Sequence, residues 1–170
     1  MTTYVALLRA INVGGTGRLQ MSDLKEICLR AGFLNVRTYV ASGNVIFESP
    51  HERTQVKADL ERPLSAFAGK RVGILVRTAD EMLAVLRANP FAHAEPSKTC
   101  AIFLDEAPPR DALEQISGRR DEEVRLGREE IFVHYRGGQG RSKLRIPAAK
   151  TGTARNMNTV AKLAEMASSA

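Results

Sequence analysis

The chain has 170 residues, of which 44% are apolar, 5% aromatic and 26% charged, with no Trp, two Cys and a formal net charge of +6. That length and composition suit one ordinary domain or two small halves with a hydrophobic core, and they exclude a wholly disordered chain. Apolar runs such as Tyr4 to Leu8 fall far short of the roughly 20 residues that cross a bilayer, so a soluble, unexported protein with no membrane partner is expected. Cys28 and Cys100 are too few for a disulfide framework and too far apart in sequence for a zinc knuckle, which fits a reducing cytoplasm.

Thr3 to Leu8 is a short apolar run rich in β-formers and reads as a buried strand. An irregular stretch, Ala10 to Gln20, follows. Ser22 is placed to cap a helix in which Leu24, Ile27, Cys28 and Ala31 share a face, and Gly32 supplies the left-handed stop. Cys28 on that face reads as a small buried hydrophobe. Val36 to Ala41 and Val45 to Glu48 read as strands joined at Ser42-Gly43-Asn44. Ser49-Pro50-His51-Glu52 has the form of a capping box for a helix whose apolar stripe is Val56, Leu60, Leu64 and Phe67, with Pro63 as a kink. Val72, Ile74 and Val76 alternate as a strand, and Thr78 with Glu81 forms a second box for a helix ending before Asn89-Pro90.

The order β-α-β-β-α-β over these residues is that of a ferredoxin-like split fold. The predicted organisation is therefore a ferredoxin-like α+β half over 1–90, a linker over 91–97 and a smaller α+β half over 98–170. In the second half Thr99 to Leu104 is a strand, Pro109 to Ser117 a short helix, and Val124 to Leu126 with Ile131 to Tyr135 a hairpin around Gly127-Arg128. Leu144 to Ile146 is a candidate short strand. The last helix is placed from Thr153, burying Met157, Val160, Ala161, Ala164 and Ala167. Both halves begin β-α-β-β, which raises a diverged duplication that no sequence identity supports.

The charge is unevenly placed. Residues 1–130 hold 18 basic and 18 acidic side chains, while 131–170 hold seven basic residues (Arg136, Arg141, Lys143, Arg145, Lys150, Arg155 and Lys162) against Glu165. From Arg136 to Lys162 there is no acid, and Gly137, Gly138, Gly140 and Gly152 lie in the same stretch. Backbone N–H groups freed by glycine, together with guanidinium forks, bind phosphate readily. A solvated surface loop explains the same pattern.

Gly14-Gly15-Thr16-Gly17 follows the first strand, where nucleotide folds place a phosphate loop. A dinucleotide fingerprint from Gly15 would need Gly where Gln20 stands, and no position supplies the Gly-Lys-Ser/Thr of a P-loop. What remains is a loop flanked by Arg9, Asn12 and Arg18. His51, His93 and His134 have unrelated spacings, so no helical metal pair exists. His134 reads as a structural histidine, and Glu122-Glu123 as solvated charge at an element end. No catalytic constellation stands out, and nothing calls for a cofactor or a metal. Arg155, Asn156, Asn158 and Thr159 crowd polar, weak helix formers into the predicted first turns of the last helix. They either hold neighbouring loops or face a ligand, and both readings expect low exposure of Asn156.

Ala6-Leu-Leu-Arg-Ala-Ile-Asn-Val-Gly-Gly15, Tyr39-Val-Ala-Ser-Gly-Asn-Val-Ile-Phe47, Gly140-Arg-Ser-Lys-Leu144 and Thr153-Ala-Arg-Asn-Met-Asn-Thr-Val160, in this order, resemble the bacterial domain of unknown function 1697 family. The resemblance implies a two-part α+β protein with a ferredoxin-like first part, and no established activity. The family pattern falls on Arg9, Asn12, Gly14, Gly15, Ser42, Gly43, Asn44, Ser142, Lys143, Arg155, Asn156 and Thr159. The chain departs from it at Ala10, where Gly is expected, and at Met157, where an aromatic often stands.

The leading expectation is a module that binds a phosphorylated small molecule or another anion at the junction of its halves. Its expected site gathers Arg9, Asn12, Gly14, Gly15, Ser142, Lys143, Arg155 and Asn156. Nucleic-acid binding through the basic C-terminal segment is the alternative. It is weakened by the lack of an RNP-type run and by strand aromatics limited to Tyr39 and Phe47. A structural or partner-binding protein with no ligand is the third reading.

Overall fold

The first apolar run forms strand β1 (Thr2–Arg9), in which Tyr4, Val5, Ala6, Leu7 and Leu8 are all buried. The computed structural model describes residues 1–9, 19–39 and 43–169. The chain divides into two units, Met1–Met82 with Leu163–Ala170, and Leu83–Lys162.

In the first unit β1 is followed by α1 (Met21–Arg30), β2 (Leu34–Tyr39), β3 (Asn44–Ser49), α2 (Arg53–Ala68) and β4 (Gly73–Thr78). The strands lie in the order β2-β3-β1-β4 and every neighbouring pair is antiparallel. β1 and β2 thus run in the same direction with β3 between them. Side chains alternate across a strand, so Tyr4, Ala6, Leu8, Val45, Phe47, Ile74 and Val76 share the face that packs on Leu24, Cys28, Val56, Leu60 and Leu64 of the two helices. Phe33 stacks on Phe47 with ring centroids 4.2 Å apart. Burial pushes the Cys28 thiol up to about 12, so it behaves as the small hydrophobe its position predicted.

The helix ends show where local hydrogen bonding outvoted the sequence pattern. The start of α1 is set by Gln20, whose N–H donates to the Asp23 carboxylate at 3.0 Å, rather than by Ser22. Its end follows the expected glycine stop. Gly32 has φ 89°, and the N–H groups of Gly32 and Phe33 donate to the carbonyls of Leu29 and Cys28, the paired bonds of a Schellman motif. The box expected at Ser49 does not form. Ser49 pairs with Thr2 as the last residue of β3, and its Oγ accepts the His51 N–H at 3.1 Å, so the helix starts after Glu52. Phe67 is 49% exposed instead of extending the stripe, because the i+4 series Val56, Leu60, Leu64 continues at Ala68, which packs on the core. The Thr78–Glu81 box does form: the Thr78 N–H donates to Glu81 at 2.8 Å, and the Glu81 N–H to the Thr78 hydroxyl at 3.1 Å. It opens α3 (Ala79–Arg87).

The second unit carries β5 (Thr99–Phe103), β6 (Glu123–Leu126), β7 (Glu130–His134) and β8 (Thr153–Asn156) in the order β6-β7-β5-β8, again antiparallel throughout. Taken in chain order, this is the strand arrangement of the first sheet repeated. Cys100, Ile102, Leu104, Val124, Ile131, Val133 and Tyr135 build its core. The helical cover differs. The helix predicted over Pro109 to Ser117 is only a 3-10 turn, Ala112–Gln115, because Ser117 leaves it to exchange backbone hydrogen bonds with Arg145 at 3.1 and 2.8 Å. The strand predicted over Leu144 to Ile146 is reduced to that single bridge.

The final element also departs from expectation. Thr153 does not cap a helix: Thr153–Asn156 is β8, paired along β5 from Phe103 to Cys100. The helix α4 (Met157–Ser168) begins one residue later, and Asn156 is its cap, with Oδ1 accepting the Thr159 N–H at 2.9 Å. A cap at a helix mouth sits in solvent, so Asn156 is exposed, contrary to the expected burial. Met157, Val160, Leu163, Ala164 and Ala167 are buried along α4.

Candidate anion-binding site

The acid-free, Gly-rich segment forms one wall of a pocket within the second unit. After β7 the Tyr135 N–H donates to the Lys98 carbonyl at 2.8 Å, and the Gly138 N–H returns to the Tyr135 carbonyl at 2.9 Å. Gly138 turns with φ 88°, a conformation that disfavours a side chain. A 3-10 turn, Gln139–Arg141, then delivers Ser142 and Lys143. Beyond them Arg145 makes the backbone bridge to Ser117, and Gly118 (φ 70°) lies so close that a Cβ there would overlap the Lys143 carbonyl oxygen. Lys143 is thus presented from a backbone fixed on both sides.

The opposite wall comes from the residues that lead into β6. Glu122 is only 4% exposed. Its Oε1 accepts the Arg120 N–H at 2.6 Å, its Oε2 accepts the Ser142 hydroxyl, and its backbone carbonyl accepts Arg119 Nε–H at 2.8 Å. The Ser142 oxygen in turn accepts the Leu144 N–H at 3.1 Å. The Ser142 and Arg120 hydrogen bonds hold the Glu122 carboxyl below its ordinary 4.5, so it is a carboxylate at neutral pH and ties the two walls together. Burial raises the Tyr135 phenol, which shares a hydrogen bond with the Cys100 thiol, and it stays neutral.

Between these walls is a pocket of about 390 Å³ lined by Arg120, Asp121, Glu122, Tyr135, Gly137, Gly138, Arg141, Ser142 and Lys143. The side chains of Arg120, Arg141 and Lys143 make no ion pair or hydrogen bond among the described residues, and neither does the Asp121 carboxylate. Charges left unpaired in a concave site are available to a ligand. Next to the pocket the hairpin charges are satisfied: Glu123 accepts Arg136 Nη2–H at 3.0 Å and lies 3.4 Å from His134 Nδ1. His134 is accordingly held in place as a structural side chain.

Of the residues predicted to form a site, Ser142 and Lys143 line this pocket. Arg155 and Asn156 do not. Arg155 is buried on β8, where Nη1–H donates to the Thr153 hydroxyl at 3.0 Å and the Ala154 carbonyl at 2.9 Å, and burial lowers the guanidinium to about 10. Arg9 ends β1 in the other unit, while Asn12, Gly14 and Gly15 lie outside the described residues. Sequence reasoning overlooked Arg120, Asp121, Glu122 and Tyr135. It took Glu122 for solvated charge, whereas Glu122 is buried because Ser142 and the Arg120 amide replace its water. Among the described residues no group of three or more His, Cys, Asp or Glu side chains is placed to hold a metal ion, and no helix is long and apolar enough to cross a membrane.

A model of the family described as "Protein of unknown function (DUF1697)" matches residues 1–132. The chain belongs to that family. A solved structure of the conserved bacterial protein SP0830 from Streptococcus pneumoniae is similar to this DUF1697 chain over 99% of each, with a TM-score of 0.81 and 23% identity, which shows a common fold. No curated protein matches the sequence. The family match stops at residue 132, so the pocket wall over 135–143 lies beyond it.

Proposed function

We propose that this protein binds a phosphorylated small molecule or another anion in the pocket between residues 120–122 and 135–143. The observation that carries the proposal is the convergence of Arg120, Arg141 and Lys143, all without protein partners, on one pocket whose walls are fixed by the Glu122–Ser142 hydrogen bond. The glycines at 137 and 138 remove side chains from the same lining, which allows an anion to approach the backbone. Nucleic-acid stacking has less support, since Phe47 is fully buried in its stack with Phe33.

Isothermal titration with inorganic phosphate, sugar phosphates and nucleotides tests the reading. Arg141→Ala and Lys143→Ala are each expected to weaken anion binding about tenfold, the equivalent of roughly 1.4 kcal/mol for a charge-assisted hydrogen bond. Unchanged affinities in both variants, or no anion binding by the wild type, would remove the site.

A further inference from the structure

The pocket is not uniformly basic, and its one unpaired acid carries further information. Asp121 lies in the same lining as Arg120, Arg141 and Lys143, and none of the four pairs with another. Glu122 does not share this property, because both its oxygens already accept hydrogen bonds from the protein. Gly137 stands opposite Asp121: a Cβ on Gly137 would lie 3.8 Å from Asp121 Oδ2 and meet nothing nearer, so the glycine leaves the side of the lining next to this oxygen free of a side chain. An unpaired carboxylate beside an anion site repels a simple anion, and a site made only for phosphate gains nothing from it. The same carboxylate becomes favourable if the ligand brings a positive charge to it.

From this lining we infer that the ligand is zwitterionic, a phosphate ester that carries a protonated amine, with its phosphate at Arg120, Arg141 and Lys143 and its ammonium at Asp121. This inference rests on the anion-site reading above and names the ligand class of that site. The neutral Tyr135 phenol and the two glycines of the same lining add no competing charge. Asp121 then acts as the specificity determinant, rejecting phosphates that lack the amine and compensating those that have it.

The test compares ligands that differ only in the amine. Wild-type protein and Asp121→Asn are titrated by calorimetry with inorganic phosphate, monoethyl phosphate and O-phosphoethanolamine. The wild type is expected to bind O-phosphoethanolamine about three- to tenfold more tightly than monoethyl phosphate, the range for an exposed charge pair that gains a hydrogen bond. In Asp121→Asn the ratio should fall to about one. Asp121 is exposed, so the variant keeps its fold, and an unchanged circular dichroism spectrum checks this. Equal wild-type affinities for the two esters overturn the inference, as does a preference for the amine that survives in Asp121→Asn. If inorganic phosphate and both esters fail to bind, the anion-site reading itself falls, whereas phosphate binding without amine discrimination removes only the zwitterion.

Discussion

Replacing Gly118 with Ala should disturb the pocket through the backbone alone. Gly118 has φ 70°, and a Cβ there would overlap the Lys143 carbonyl oxygen and lie 2.9 Å from the carbonyl carbon. Two costs combine. A non-glycine residue in the left-handed region loses about 1–2 kcal/mol, and forcing an atom into occupied space costs roughly 1–3 kcal/mol more, so the expected loss is about 2–5 kcal/mol. Gly32→Ala is the control, since Gly32 has φ 89° with no atom within 4 Å of its Cβ position and carries only the first cost. Urea unfolding followed by circular dichroism measures both variants. Hydrogen exchange of the Ser117 and Arg145 amides reports whether their bridge opens. The reasoning is refuted if Gly118→Ala is no less stable than Gly32→Ala while both amides keep their protection, because the close approach at Lys143 would then carry no weight.

Asn156→Ala should cost about 1 kcal/mol through loss of the α4 cap, a fall in melting temperature of roughly 2–4 °C for a chain of this size. Asn156→Asp should retain most of that stability, and a melting temperature of Asn156→Ala equal to wild type would contradict the capping role. Glu122 sets a pH dependence. Its folded pKa is depressed, so its contribution is present above the ordinary 4.5 and is lost as pH falls through the folded value. Glu81 and Glu123 are also lowered, so the informative quantity is the difference between wild type and Glu122→Gln. Between about pH 6 and about pH 3 the urea midpoint of wild type should fall more steeply than that of Glu122→Gln, and parallel slopes would exclude the ionised Glu122 as a stabiliser.

Elements with strong local signals were legible. The alternation of Val72, Ile74 and Val76, the Thr78–Glu81 box and the Gly32 stop all depend on residues a few positions apart. The box and the stop occur as their patterns require, and the three valine and isoleucine side chains reach the core although β4 itself starts at Gly73, after Val72. Signals that compete with long-range pairing were misread. Ser49 is as good a cap as Thr78, but its backbone is engaged with Thr2, 47 positions away. Thr153 resembles a helix cap until β5 takes it into the sheet. The site divides in the same way. Ser142 and Lys143 stood out as part of an acid-free run, yet Glu122, the partner of Ser142, is 20 positions earlier in a cluster of charges that resembles ordinary surface. No local rule separates that carboxylate from Glu123, which differs only in facing the hairpin side chains Arg136 and His134.

The division of the chain has a consequence for biogenesis. Leu83–Lys162 is continuous, whereas the unit that starts the chain is finished by Leu163–Ala170. In the order of synthesis the residues of the second unit are therefore complete while the first still lacks its final helical turns. The part begun first is thus the part completed last, unlike a chain of consecutive domains in which the earlier-made one is complete and folds first. Removing the residues after Lys162 would strike the segment synthesised first, leaving the pocket-bearing unit with its own sequence intact.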